Sequence, residues 1–363
     1  MTEGSGDDAR GRSGLSLALG PVFAFKRRFP LIAYAARRLW VTAVMLFVLG
    51  FAIFGLMALV PGDIVTQLMV SQFLAGGMGG GGEGLTMAQF EEMRADLGLD
   101  RPFYVQYFRW LGNALHGDLG VGLISRAPVT FILWQRLLNT LLLNTITLVV
   151  VTVVSFALGV YFSSKAGTRT DVGVTFVALF LHAFPGLLVL LLLQLFAFVT
   201  GLFPITGFPG FPAQDNPGAF VFSYIHHVFL LVLASFLTSI GGSLRTTRAL
   251  MLDQLGQPYV TSLRTRGIAE WRVYLLHAFR NTLNPFITGA ATLLAGLFGG
   301  SVLLEIVFAF PGSGRLMFEA IQQQDVNLVM ANLMFISALV MIGIAIADIL
   351  LAVADPRIRY GKE

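Results

Sequence analysis

Few side chains in this sequence could carry chemistry, and most of them stand alone in apolar surroundings. Glu305 and Asp348 lie inside hydrophobic runs, as does His182 just ahead of Pro185 and Gly186. An ionisable group in lipid is costly, so it is a functional candidate by default. For Glu305 and Asp348 two roles stay open: pairing with arginine or backbone, and direct gating or substrate contact. His182 reads as a helix-packing hydrogen bond, because a proton relay needs acidic neighbours that its segment lacks. Pro185 should kink that segment. Asn139 and Asn144 suit hydrogen bonds between helices. His226 and His227 are adjacent, so on a helix they point about 100° apart, and no carboxylate stands near them; a metal site is declined.

The patterns of enzymes are missing. There are no cysteines, which removes disulfides, thiolate metal sites and cysteine nucleophiles together. No His-Glu-x-x-His, Gly-x-Ser-x-Gly or paired mid-membrane carboxylates occur, which leaves a membrane-embedded hydrolase without machinery. Gly76–Gly84 is glycine-rich, but no Lys-Ser/Thr follows it, so it is a flexible linker rather than a phosphate cradle. With no Walker A loop anywhere, the chain has no evident nucleotide site. The expectation is no enzyme, no cofactor and no metal on this chain.

What must position these residues is a membrane protein. The chain has 363 residues, 56% hydrophobic and 12% charged, against about 25% charge in soluble domains. Spans of about 20 apolar residues fall at Leu39–Val60, Leu137–Phe162, Val172–Thr200, Ser223–Leu244, Pro285–Phe308 and Leu328–Val353, six in all. Eighteen of the 24 Lys and Arg fall on one side if the N-terminus is inside, so both termini are expected to be cytoplasmic. The basic excess is thus a topology signal and does not mark a nucleic-acid protein. Residues 1–38 form a cytoplasmic N-terminal extension whose basic end touches anionic lipid, with apolar Leu15–Phe25 along the interface. The other divisions are 39–135, the first span plus an outer helical segment; 136–354, the transmembrane core; and 355–363, a cytoplasmic tail.

In the outer segment, Thr86 and Gln89 have capping-box spacing and open a helix that Gly98 ends. A second helix follows Pro102, with Phe103, Tyr107, Trp110, Leu111 and Ala114 on one face. Its aromatics place it at the outer interface. Gly201–Phe222 reads as a turn-rich cap. The cytoplasmic segment 245–284 is far longer than the two to eight residues usual between adjacent helices. It divides into a helical stretch Arg245–Leu255, a break at Gly256–Gln257–Pro258, a short helix Tyr259–Arg266 stopped at Gly267, and a helix from Glu270 to Asn284. A projecting helix–short helix–helix element is built to touch something.

At this element the sequence resembles a known family. Leu255–Ile268 (LGQPYVTSLRTRGI) and HAFRNTLNP at 277–285 resemble the cytoplasmic signature of ABC importer permeases of the dipeptide/oligopeptide branch. VPGD at 60–63, LGLDRPFYVQY at 97–107, GDLG at 117–120, RLLNTLLL at 136–143, FPGSGR at 310–315 and DPRIR at 355–359 agree in order and spacing. The resemblance covers about 39–360.

The resemblance implies an all-α membrane protein with six transmembrane helices and the type I ABC importer permease fold. An outer-face helical segment would lie between helices 1 and 2, and a cytoplasmic coupling helix between helices 4 and 5. It implies docking on an ATPase through Tyr259, Val260, Leu263, Arg264, Arg266, Gly267, Ile268 and Glu270. The Glu-Ala-Ala triplet of many importers is replaced here by Thr261–Ser262–Leu263. It also implies a second homologous permease subunit, two ATP-binding subunits carrying ATP and Mg, and a periplasmic solute-binding protein in a bacterial inner membrane. The function is then a translocation path for peptides, with nickel chelates, opines or short glycans as alternative cargo. A stand-alone ion-coupled secondary transporter is the rival, and it predicts broken helices and central charges.

Overall fold

The computed structural model describes residues 30–59, 65–66, 70, 87–96, 98–122, 127–210, 215–289, 293, 296–297, 302–323 and 325–354. Among them the regular elements are helical. The linker Gly76–Gly84, Thr86, the basic residues Lys26, Arg27 and Arg28, VPGD and DPRIR lie outside the described residues. So do parts of the expected span Pro285–Phe308, namely 290–292, 294–295 and 298–301.

Helix α1, Pro30–Leu59, is apolar on all sides, the pattern of a helix surrounded by lipid or protein rather than water. Helix α2 (Met87–Asp96) is short and polar, and Gly98 follows it with φ +68°. Helix α3, Phe103–Leu115, starts behind Pro102 and carries a clear apolar stripe. That stripe faces α1. Tyr107 is fully buried, ringed by Phe47, Phe51 and Phe54, and its hydroxyl donates to the Phe47 carbonyl at 2.8 Å. A buried phenol needs a partner, and α1 supplies both rings and carbonyl. The aromatics Tyr107 and Trp110 thus pack into a protein core, while Tyr104 and Phe108 on the other side are exposed. On α3, a Cβ added at Gly112 would meet nothing within 4 Å. Gly112→Ala should therefore stabilise the protein by up to about 1 kcal/mol, read as a higher melting temperature in detergent; a lower one would contradict this packing.

Helix α4 (Val129–Ser163) begins eight positions ahead of the expected Leu137. Helices α5 (Arg169–Ala183) and α6 (Gly186–Thr200) are bent by 94°. Pro185 stands at the bend in extended conformation, so the expected kink is closer to a corner. Helix α7, Pro217–Leu255, runs 39 residues without a break, joining the expected span Ser223–Leu244 to the stretch Arg245–Leu255, which had been read as separate. At 1.5 Å per residue it is about 58 Å long, against about 30 Å for the hydrocarbon core. One end must project. Helix α8 (Pro258–Thr265) caps that end. Helix α9 returns as Glu270–Arg272, a π-helical turn Val273–Ala278, and Phe279–Thr282, followed by α10, Asn284–Thr288. The remaining helices are α11 (Val302–Val307), α12 (Ser313–Gln322) and α13 (Val326–Ala354).

Four described helices, α1, α4, α7 and α13, are long and apolar enough to cross a membrane, and the bent α5/α6 pair makes a fifth if its halves form one span. Large apolar side chains point outward along them, Phe176, Phe198 and Phe222 being 69%, 71% and 77% exposed. In water that surface would not persist; in lipid it is the expected one. Helices α4 and α7 form the spine, with α5 packed on α7 and α13 on α1. One core joins α1, α3, α12 and α13 around Tyr107, Trp110 and Met330. A second joins α4, α6 and α7 to Phe308 and Phe310.

Candidate functional site

Helix α8 has one face held and one face free. Val260 is fully buried, and Tyr259, Leu263 and Ile268 are half-buried. Thr261, Ser262, Arg264, Thr265, Arg266, Gly267 and Glu270 are exposed. The Tyr259 hydroxyl donates to Gln254 at 3.1 Å, tying α8 to the last turn of α7. The exit is a Schellman motif: the Gly267 N–H donates to the Arg264 carbonyl at 2.9 Å, and the Ile268 N–H to Leu263 at 3.3 Å. Gly267 has φ +74°. Arg264 spans this turn with a two-pronged bond to Glu270, at 2.9 and 3.2 Å. That carboxylate raises the Arg264 pKa above its already high ordinary value, so the cation persists at any working pH. A rigid, cationic and hydroxyl-rich knob results, suited to seating in a polar or acidic cleft.

The second cluster surrounds Glu305. Its side chain is fully buried, and its carboxylate accepts the Thr140 hydroxyl at 2.9 Å and the Arg315 backbone N–H at 2.9 Å. The carboxylate is thus paired with a backbone N–H and a hydroxyl rather than with an arginine side chain among the described residues. The Thr140 oxygen in turn accepts the Ser313 N–H at 2.8 Å, and Asn332 donates to the Ser313 carbonyl at 2.9 Å. Asn139 donates to the Pro311 carbonyl, in the turn between α11 and α12, and Asn144 to the Leu297 carbonyl, each at 2.9 Å. Ala309 has φ +50°, and the Arg315 guanidinium donates to its carbonyl. The FPGSGR turn is therefore wrapped on one carboxylate and joins α4, α11, α12 and α13.

Residues 155–360 match the family described as binding-protein-dependent transport system inner membrane component. The chain belongs to that family. Over 90% of its length it is 33% identical to the oligopeptide transport system permease protein AppB of Bacillus subtilis (strain 168), covering 99% of that protein. It is 27% identical to the dipeptide transport system permease protein DppB of Escherichia coli (strain K12), over 85% of this chain and 93% of that protein. It is therefore a multi-pass inner-membrane component of a binding-protein-dependent system.

Within this inner-membrane component the remaining candidates are dispersed. His182 is exposed and lies over Gly242 on α7, with no hydrogen-bond partner among the described residues. The expected packing hydrogen bond is not seen among the described residues; Gly241 and Gly242 instead let α5 lie close against α7 there. Asp348 is within α13, and its side chain lies outside the described residues. A Cβ at Gly296 would meet nothing within 4 Å among the described residues. His226 bonds the Leu202 carbonyl and His227 that of Ser223. Sequence reasoning missed Thr140, Ser313 and Asn332 around Glu305. A hydroxyl within RLLNTLLL was the available signal.

Proposed function

We propose that this chain is a transmembrane permease subunit of an ATP-driven importer, forming the path for peptides. The observation that carries this is α8: a capped, solvent-facing short helix at the tip of a helix longer than the membrane is thick, in a chain aligned end to end with peptide permeases. In this reading the chain has six spans, the bent α5/α6 pair counting as one and the segment around Pro285–Phe308 as another, with both termini cytoplasmic. The exposed side of α8 docks into a cleft on an ATPase, through Arg264, Arg266 and Glu270 together with Thr261, Ser262 and Thr265. Val260 and Leu263 fasten it from behind. ATP and Mg act on two partner subunits, a second homologous permease completes the path, and a periplasmic binding protein delivers the cargo. Nickel chelates, opines and short glycans are alternative cargo for the same machinery.

The α5/α6 corner is the one feature that a stand-alone secondary transporter would also show. The nearest ionisable side chain to it in sequence is the exposed His182, and no facing charge pair stands there among the described residues. Purification of the tagged chain from its native membrane should recover a second permease and ATPases. A lone chain active in liposomes without ATP would overturn the proposal.

A further inference from the structure

The coupling reading leaves one buried charge pair without a role. Asp171, at the start of α5, has a side chain only 5% exposed, and it holds Arg248 of α7 by a two-pronged bond, Nε at 2.7 Å and Nη2 at 2.6 Å. The same carboxylate accepts the Gly167 N–H at 3.0 Å, and the Asp171 N–H donates to the Thr168 hydroxyl at 3.4 Å, which caps α5. Gly167 and Thr168 belong to the turn leaving α4. One carboxylate thus gathers the end of α4, the start of α5 and the flank of α7.

The surrounding packing is equally tight. A Cβ at Gly159 of α4 would lie 2.6 Å from Thr247 Cγ2, and one at Gly241 of α7 would lie 2.2 Å from the Ala178 carbonyl of α5. Helix α7 is seated against both neighbours up to this level, and beyond it packs on the returning segment Val273–Thr282, where Met251 is fully buried. From Arg248 to Leu255 is about 10 Å along the axis, and α8 begins at Pro258. Among the described residues the pair is therefore the last long-range polar tie between α7 and the α4/α5 body before α8, although Met251 still packs against Thr282 of α9.

We propose that Asp171 and Arg248 are positioning residues for energy coupling: the clasp fixes the projecting end of α7 to α4 and α5, so that a push on α8 moves the transmembrane body instead of bending the helix tip. This rests on the reading of the chain as an ATP-driven permease. A guanidinium in a two-pronged bond resists rotation as well as separation, which an ammonium point charge does not. That distinction gives the clasp a signature beyond folding.

The test uses the full complex in proteoliposomes, reading solute uptake and ATP hydrolysis side by side, with and without the binding protein. Asp171→Asn should assemble with the ATPases, hydrolyse ATP at a rate within about two-fold of wild type, and lose at least ten-fold in solute moved per ATP. Arg248→Lys, which keeps the charge, should fall between the two, and it carries the test if Asp171→Asn does not assemble. Wild-type uptake per ATP in either assembled variant would overturn the clasp, as would a matched fall of uptake and hydrolysis, which marks a purely structural role. If the wild-type chain recruits no ATPase, the permease reading itself fails, and the wild-type control separates that outcome from failure of the clasp.

Discussion

Gly312→Ala should leave the protein markedly less stable, although it adds a single methyl group. A Cβ at this position would stand 2.3 Å from the Glu305 carboxyl carbon and 2.4 and 2.5 Å from its oxygens. Real Cβ contacts are not that short, so the carboxylate or the turn must move. Glu305 cannot withdraw freely: it is fully buried, and its oxygens hold the Thr140 hydroxyl and the Arg315 N–H. Overpacking of this kind costs about 1–3 kcal/mol, and stranding a buried donor adds about 1–3 kcal/mol. The expected loss is on the order of 3 kcal/mol or more, read as a lower melting temperature of the detergent-purified chain. Glu305→Gln should lose less, because the amide keeps an acceptor for Arg315. If Gly312→Ala melts with wild type, the turn does not close on the carboxylate as described.

This cluster shows what the sequence makes legible. Glu305 stands out on sight, because a carboxylate in an apolar run demands a partner. Its partners do not stand out, since Thr140 lies 165 positions away and Arg315 contributes only its backbone N–H. Backbone donors have no side-chain signature, so a search for a matching arginine looks for the wrong group. The turn FPGSGR is recognisable as a motif, yet the reason for its glycines, Gly312 and Gly314, emerges only when the carboxylate is seen inside it.

The helices follow the same division. Spans α1, α4, α7 and α13 could be read from hydrophobicity alone, because lipid imposes one composition on any helix it surrounds. The end of α7 at Leu255 is legible too, from Gly256–Gln257–Pro258 behind it, but its continuity is not. The change from apolar to polar at Arg245 marks where the helix leaves lipid, and the helix runs through it without a break. The Asp171–Arg248 pair joins positions 77 apart, and in the sequence each counts only toward the tally of surface charge. The partners of Tyr107 are hidden for a related reason: its place on an apolar helix face is legible, but the ring of phenylalanines that encloses it lies on α1, 53 to 60 positions earlier.

The α8 exit yields a graded prediction. Gly267 has φ +74°, and a Cβ there would meet nothing within 4 Å. Size is therefore irrelevant at this position, and backbone conformation alone sets the order of substitutions. Asparagine tolerates the left-handed region, alanine is penalised by about 1–2 kcal/mol, and a β-branched residue fares worse still. Gly267→Asn should retain most uptake, Gly267→Ala should lose part of it, and Gly267→Val should lose at least ten-fold in the reconstituted complex. The physical route is the Schellman pair: once position 267 leaves φ > 0, the N–H groups of 267 and 268 turn away from Arg264 and Leu263. The two-pronged Arg264–Glu270 bond then loses its geometry. An exposed ion pair stabilises by only about 0–1 kcal/mol, too little to pull the turn back. The global melting temperature should move little, because the turn is exposed and peripheral, while the angle between α8 and α9 changes. If alanine and asparagine behave alike and only bulk matters, the site is a contact surface rather than a conformational stop, and the lever must be rigid for some other reason.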